Sequence, residues 1–198
     1  MFSILMMVAA VSADPGSQPV TDVPAARQAA WTKCRNEKGQ LSAPIEMEGC
    51  DELIAAQDVD NEIKAIAHAN RGILMMPTLF RKTARDEFDR AIVLNPKLGP
   101  AYYNRGLLSA LEGKLDEAIA DYTRAVTAWP QISEAYVNRA IAYAESGKTE
   151  LALQDFTKVI EIEPANAENY ENRAALYHQL GREPEARADL AKAKSLGK

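Results

Sequence analysis

The chain has 198 residues, enough for one domain or one short repeat array, and its 47% apolar content is enough to bury a core. A formal net charge of -5 argues against a general nucleic-acid binder, because nothing neutralises phosphates in bulk, and suits protein partners better. Its two histidines and two cysteines are too far apart in sequence for a zinc-ligand spacing, and no Ser/His/Asp or phosphate-loop motif is present. The reading is therefore non-catalytic, with no cofactor and no metal.

At the N-terminus, MFSILMMVAAV (1–11) is uncharged and mostly apolar, and Val11-Ser12-Ala13 gives small residues suited to cleavage. Residues 1–13 read as a secretory signal peptide with Asp14 as the mature start, although the first basic residue is as late as Arg27. Eleven apolar residues fall short of the ~20 that span a bilayer. The expectation is an exported, periplasmic protein; the alternative is a cytoplasmic one if the segment is not a signal. Residues 14–24, DPGSQPVTDVP, carry three prolines and read as a flexible leader.

From Ala65 onward the chain repeats every 34 residues. The columns are His68, Tyr102, Tyr136, Tyr170; Asn70, Asn104, Asn138, Asn172; Arg71, Arg105, Arg139, Arg173; and Gly72, Gly106, Ala140, Ala174. Further on come Ala84, Ala118, Ala152, Ala186, then Phe88, Tyr122, Phe156, Leu190, with Pro96, Pro130 and Pro164 closing three copies. Tyr136, Ala140 and Tyr143 share one helix face, and Ala152, Phe156 and Val159 share another. Gly113, Gly147 and Gly181 stand between the two helices as turns. Each copy is thus a helical hairpin that cannot bury its own apolar stripe, so copies stack.

This pattern resembles the tetratricopeptide repeat, over roughly Ala65 to Lys198. The resemblance implies an all-α, right-handed solenoid with hairpins at 65–98, 99–132, 133–166 and 167–198. It also implies a concave groove lined by the first helices and used for protein or peptide partners. The first copy departs from the pattern, because its turn, Met76 to Phe80, lacks the glycine. Co-chaperone members clamp a C-terminal carboxylate at places that here hold Ala69, Ile73, Asn104, Glu134 and Asn138. Only Asn104 matches, and Glu134 has the wrong sign, so that clamp is not expected.

Asn70, Asn104, Asn138 and Asn172 lie about 200° around the helix from the aromatic column, away from the core stripe, and the resemblance places this face in the groove. An asparagine ladder there would grip a peptide backbone, because each amide offers a donor and an acceptor. The alternative is that each asparagine bonds a neighbouring turn. The rest of the groove runs from apolar (Ile73, Met76, Tyr103, Leu107) to acidic (Glu134, Glu145, Glu168, Glu171), with His178 at the far end. That gradient suits a partner segment with an apolar anchor and basic residues. The arginines lie nearer the core, and Glu87, Asp121, Asp155 and Asp189 answer them as repeated ion pairs.

The same register extends upstream. Cys34 falls in the aromatic column and Cys50 in the alanine column, and these columns face each other across a hairpin. Residues 25–64 therefore read as a degenerate hairpin whose core contact is a disulfide, or else two buried thiols. An exported protein permits the bridge. The expected function is a binding module in the cell envelope; the alternative is a self-assembling component of an envelope complex, prompted by Leu190 and Leu196 at the last hairpin. The oligomeric state stays open.

Overall fold

The computed structural model describes residues 23–35, 40–76 and 80–197. These form ten α-helices after a short 3-10 turn: α1 Gln28–Arg35, α2 Ala43–Ala55, α3 Asn61–Met75, α4 Arg81–Leu94, α5 Gly99–Leu111, α6 Leu115–Ala128, α7 Ser133–Glu145, α8 Thr149–Ile162, α9 Ala167–Gln179 and α10 Glu183–Leu196. Consecutive helices pair as hairpins, and each hairpin packs on the next, which makes an α-solenoid. The signal-peptide segment and most of the leader lie outside the described residues. The leader ends earlier than its composition suggests, because Val23 is buried and its carbonyl accepts from Gln28 Nε2 at 2.8 Å. The boundary at residue 64 also moves: α3 starts at Asn61, where Asp60 caps it by accepting from the Ile63 amide at 2.9 Å.

The turns explain the repeat glycines. Gly113, Gly147 and Gly181 have φ of 73°, 74° and 71°, a left-handed conformation that a side chain resists. Each ends its helix with paired bonds, as in Gly113 N–H to Ala110 O and Lys114 N–H to Ser109 O, which satisfy carbonyls the helix leaves open. The Met76 to Phe80 turn lies mostly outside the described residues.

In the first three repeat hairpins the large apolar column is buried, Phe88, Tyr122 and Phe156 being all but inaccessible, whereas Leu190 in the last is exposed. Each of the three rings contributes about 1.5–3 kcal/mol from burial. Small residues face these rings because nothing else fits. A Cβ on Gly72 would come 2.7 Å from Phe88 Cε1, and one on Gly106 would come 2.9 Å from Tyr122 Cε1.

Between hairpins, the arginine column acts as a staple. Arg105 Nε and an Nη bond Asp121, 16 residues later in its own hairpin, at 2.8 and 2.6 Å. Its other Nη reaches Asp89 on the preceding hairpin at 2.7 Å. Arg139 joins Asp155 and Thr123 in the same way, and Arg173 joins Asp189 and Thr157. The guanidinium groups also lie 5.5–5.9 Å from the tyrosine rings three residues earlier. The arginines are therefore structural, and their ion pairs are partly buried, so they fix register more than they add stability.

The N-terminal hairpin is held differently. Cys34 and Cys50 form a disulfide across α1 and α2, both sulfurs in the core. A bond closing a loop of this length contributes about 3 kcal/mol. Gly49 lets the two helices approach, since a Cβ there would meet Lys33 Cβ at 2.5 Å.

Candidate partner-binding face

The first helices α3, α5, α7 and α9 carry the inner wall in 34-residue register. On α7 the wall is Glu134, Val137, Asn138, Ile141 and Glu145; on α9 it is Glu168, Glu171, Asn172, Ala175 and Gln179. Spacings of three and four place each set on one helix face. The wall is not uniform. On α5, Tyr103, Asn104 and Leu107 are fully buried. On α7, Glu134, Val137 and Ile141 are half-buried, and on α9 Glu168, Glu171 and Ala175 are exposed. The accessible part of the wall is therefore its C-terminal half.

The four asparagines are not equivalent arms. Asn70 Nδ2 donates to the Cys34 carbonyl at 3.1 Å, which ties the first repeat to the disulfide hairpin. Asn104 Nδ2 donates back to Pro100 O at 2.8 Å, while its Oδ1 is buried without a partner. Asn138 Nδ2 donates to the Tyr103 hydroxyl at 3.0 Å, linking α7 to α5. Asn172 is half-exposed. The ladder expected along the groove is thus not presented at three positions: Asn70, Asn104 and Asn138 are buried, and each amide is bonded within the array. Tyr103 is pushed up in pKa by burial and by the nearby Glu134 carboxylate, against the bond from Asn138, so it stays neutral.

Electrostatically the accessible wall is one-signed. Among the described residues Glu134, Glu145, Glu168 and Glu171 form no salt bridge, although Glu134 accepts a long 3.4 Å bond from Ser133 Oγ, whereas Arg139 and Arg173 are taken by Asp155 and Asp189. His178, exposed, faces Glu183 with Nδ1 2.5 Å from Oε1. The apolar positions Ile73 and Met76 sit at the opposite end, with Met76 buried. Among the described residues no group of three His, Cys, Asp or Glu side chains could hold a metal, and no helix is long and apolar enough to cross a membrane.

Sequence profiles of the tetratricopeptide repeat match residues 81–131, 133–166 and 156–188, together just over half of the chain. The chain belongs to the tetratricopeptide repeat family. Among solved structures, the protein is similar to a crystal structure of MamA, at 19% identity with a TM-score of 0.69, over 83% of this chain and 94% of that one. A MamA RS-1 double mutant gives 15% identity and a TM-score of 0.70, over 86% of this chain and 94% of that one. At such identities the likeness speaks for the fold alone. No curated relative matches in sequence. Tetratricopeptide arrays are protein-interaction scaffolds, and that general role carries over to this chain.

Two functional features escape a column-by-column reading. One is the Asn138–Tyr103 bond, which joins residues 35 apart. The other is the His68–Glu87 contact, at 2.8 Å between Nδ1 and Oε2. Both couple positions on different helices; only the odd histidine in a tyrosine column hinted at the second.

Proposed function

We propose that the protein is a non-catalytic scaffold of the cell envelope that holds an extended segment of a protein partner along the inner wall of α7 and α9. The carrying observation is the contrast in charge pairing. Second-helix acids such as Asp121, Asp155 and Asp189 are consumed by arginines, whereas the inner-wall acids on α7 and α9 are left to a partner. Half-buried Val137 and Ile141 offer apolar anchoring between them. Half-exposed Asn172 remains for a backbone hydrogen bond, worth about 0.5–1.5 kcal/mol. Tyr103 and Leu107 support the floor beneath. Export is supported by the Cys34–Cys50 bridge, because such bonds persist in oxidising compartments.

Site-specific photo-crosslinking in the native host tests this reading. A photoreactive residue at Glu171 or Ala175 should trap one discrete partner, and the same residue at Arg124, on the outer side of α6, should not. Equal trapping from both faces would refute a groove-bound partner. Non-reducing mass spectrometry of the mature protein should show no free thiol; a free pair would refute the envelope assignment.

A further inference from the structure

The last hairpin presents a face that the three earlier repeat hairpins keep covered. Phe88, Tyr122 and Phe156 are at most 1% exposed, whereas Leu190, next in that column, is 51% exposed. The following first helix makes the difference. Tyr122 lines one crevice with Ile141 and Ala142 of α7, and Phe156 shares a buried cluster with Leu176 of α9. Beside Leu190 stand Arg187 and Lys194, both exposed and without an ion pair among the described residues. In α6 and α8 the same places hold Ile119 and Leu153, then Val126 and Ile160. The outer face of α10 is thus a leucine between two cations.

The first repeat hairpin shows what meets such a face. Arg85 stands three periods before Arg187. It bonds Glu112, at the C-terminal end of α5, at 3.0 Å, and the Ser109 hydroxyl at 3.2 Å. Leu108, one turn before Glu112 and in register with Ala142 and Leu176, is fully buried. A helix with an apolar residue and a carboxylate four positions later therefore supplies both parts of the cover, because that spacing puts them on one face.

Charge decides which occupant fits α10. A second copy would meet Arg187 and Lys194 with its own basic stripe, or with α1, whose charged residues, Lys33 and Arg35, are both basic. Either pairing sets like charges around Leu190. An acidic helix answers both cations.

We infer that the outer face of α10 docks an acidic amphipathic helix of a partner protein. Its apolar residue lies on Leu190, and the carboxylate one turn later bonds Arg187 as Glu112 bonds Arg85. A second acid, nearer its N-terminus, faces Lys194. This site lies at the end of the stack, apart from the acidic inner wall, and selects the opposite charge.

NMR titration of the full chain with a capped peptide of residues 99–112 tests the assignment; the peptide carries Arg105→Glu, which makes it acidic. Amides of residues 186–194 should shift saturably. Leu190→Glu should abolish the shifts. Arg187→Glu should weaken binding roughly threefold to tenfold, as turning an exposed ion pair into a like-charge contact predicts. A peptide that also carries Glu112→Lys should bind the Arg187→Glu protein better than the original peptide does. Both protein substitutions fall on exposed side chains and should keep the thermal transition. Absence of saturable shifts, shifts confined to α4, undiminished binding in both variants, or failure of the charge swap would overturn the site. Concentration-dependent dimerisation by light scattering, lost in Leu190→Glu, would overturn it too, by assigning the face to a second copy.

Discussion

The first and third repeat hairpins run the same backbone path with different chemistry at the joint. In α7–α8, one acid meets one cation: Asp155 takes two bonds from Arg139, which also reaches back to Thr123. In α3–α4, one acid meets three donors: Glu87 takes His68, Arg71 and Arg90, and Arg71 reaches back to Asp51 at 2.6 Å. The two carboxyls are shifted in opposite directions. Burial pushes the Asp155 carboxyl up, and Arg139 only partly offsets it. Burial pushes Glu87 up too, yet the bonds from His68 and Arg71 outweigh it and hold the carboxyl at about 2. Several donors on one buried acid hold it charged, whereas at Asp155 a single arginine leaves burial the larger effect.

The sharpest way to break this comparison is to remove the arginine from each joint. Arg139→Ala strands a buried carboxylate and should cost about 3–5 kcal/mol. Arg71→Ala should cost clearly less, because Glu87 keeps His68 and Arg90. Urea unfolding with unchanged slopes measures both. Equal losses would mean that the extra donors of the first hairpin do nothing.

Acid titration sharpens the comparison further. The Glu87 carboxyl lies near 2 in the fold against an ordinary 4.5. Its stabilisation is therefore complete above pH 4.5 and disappears as pH falls toward 2, a swing of about 3 kcal/mol. Glu87→Gln should remove that acid limb. Asp155 has the opposite sign: its carboxyl is raised, so its folded form takes up a proton more readily, and acidification through that pKa adds stability. Asp155→Asn should therefore steepen the acid limb. Unfolding free energies between about pH 5 and pH 2, the window of the Glu87 shift, decide it. Two variants with the same pH profile would contradict the assignment.

The hairpins were legible because their signal is repeated. A tyrosine, a small residue, an alanine and a phenylalanine at fixed offsets mean little once; at a 34-residue interval they specify a stack. The turn glycines and the Cys34–Cys50 pairing follow from that register. The asparagines were less legible because register assigns a face and not a partner. Asn70 finds the carbonyl of Cys34, in the hairpin where the pattern is most eroded, and Asn104 turns back onto its own helix. The accessible stretch of wall likewise depends on how closely the helices sit, so Tyr103 and Leu107 end up beneath the surface expected to expose them.

The smallest effect concerns the reach to the preceding hairpin. Arg105 finds a carboxylate at Asp89, whereas Arg139 and Arg173 find hydroxyls at Thr123 and Thr157, both at 3.1 Å. Asp89 is 48% exposed, so its charge is well solvated and its ion pair belongs to the class worth about 0.2–1 kcal/mol. A threonine hydroxyl bonded to a guanidinium contributes a similar amount without a net charge. Asp89→Thr should therefore cost under about 1 kcal/mol at low salt and almost nothing at about 1 M salt, where screening acts within ~3 Å. Thr123→Asp should gain a comparable, equally salt-sensitive increment. The reach to the preceding hairpin would then be interchangeable between Arg105 and Arg139, whichever group receives it. A salt-independent loss in Asp89→Thr would instead show that the carboxylate holds Arg105 by geometry that threonine cannot copy.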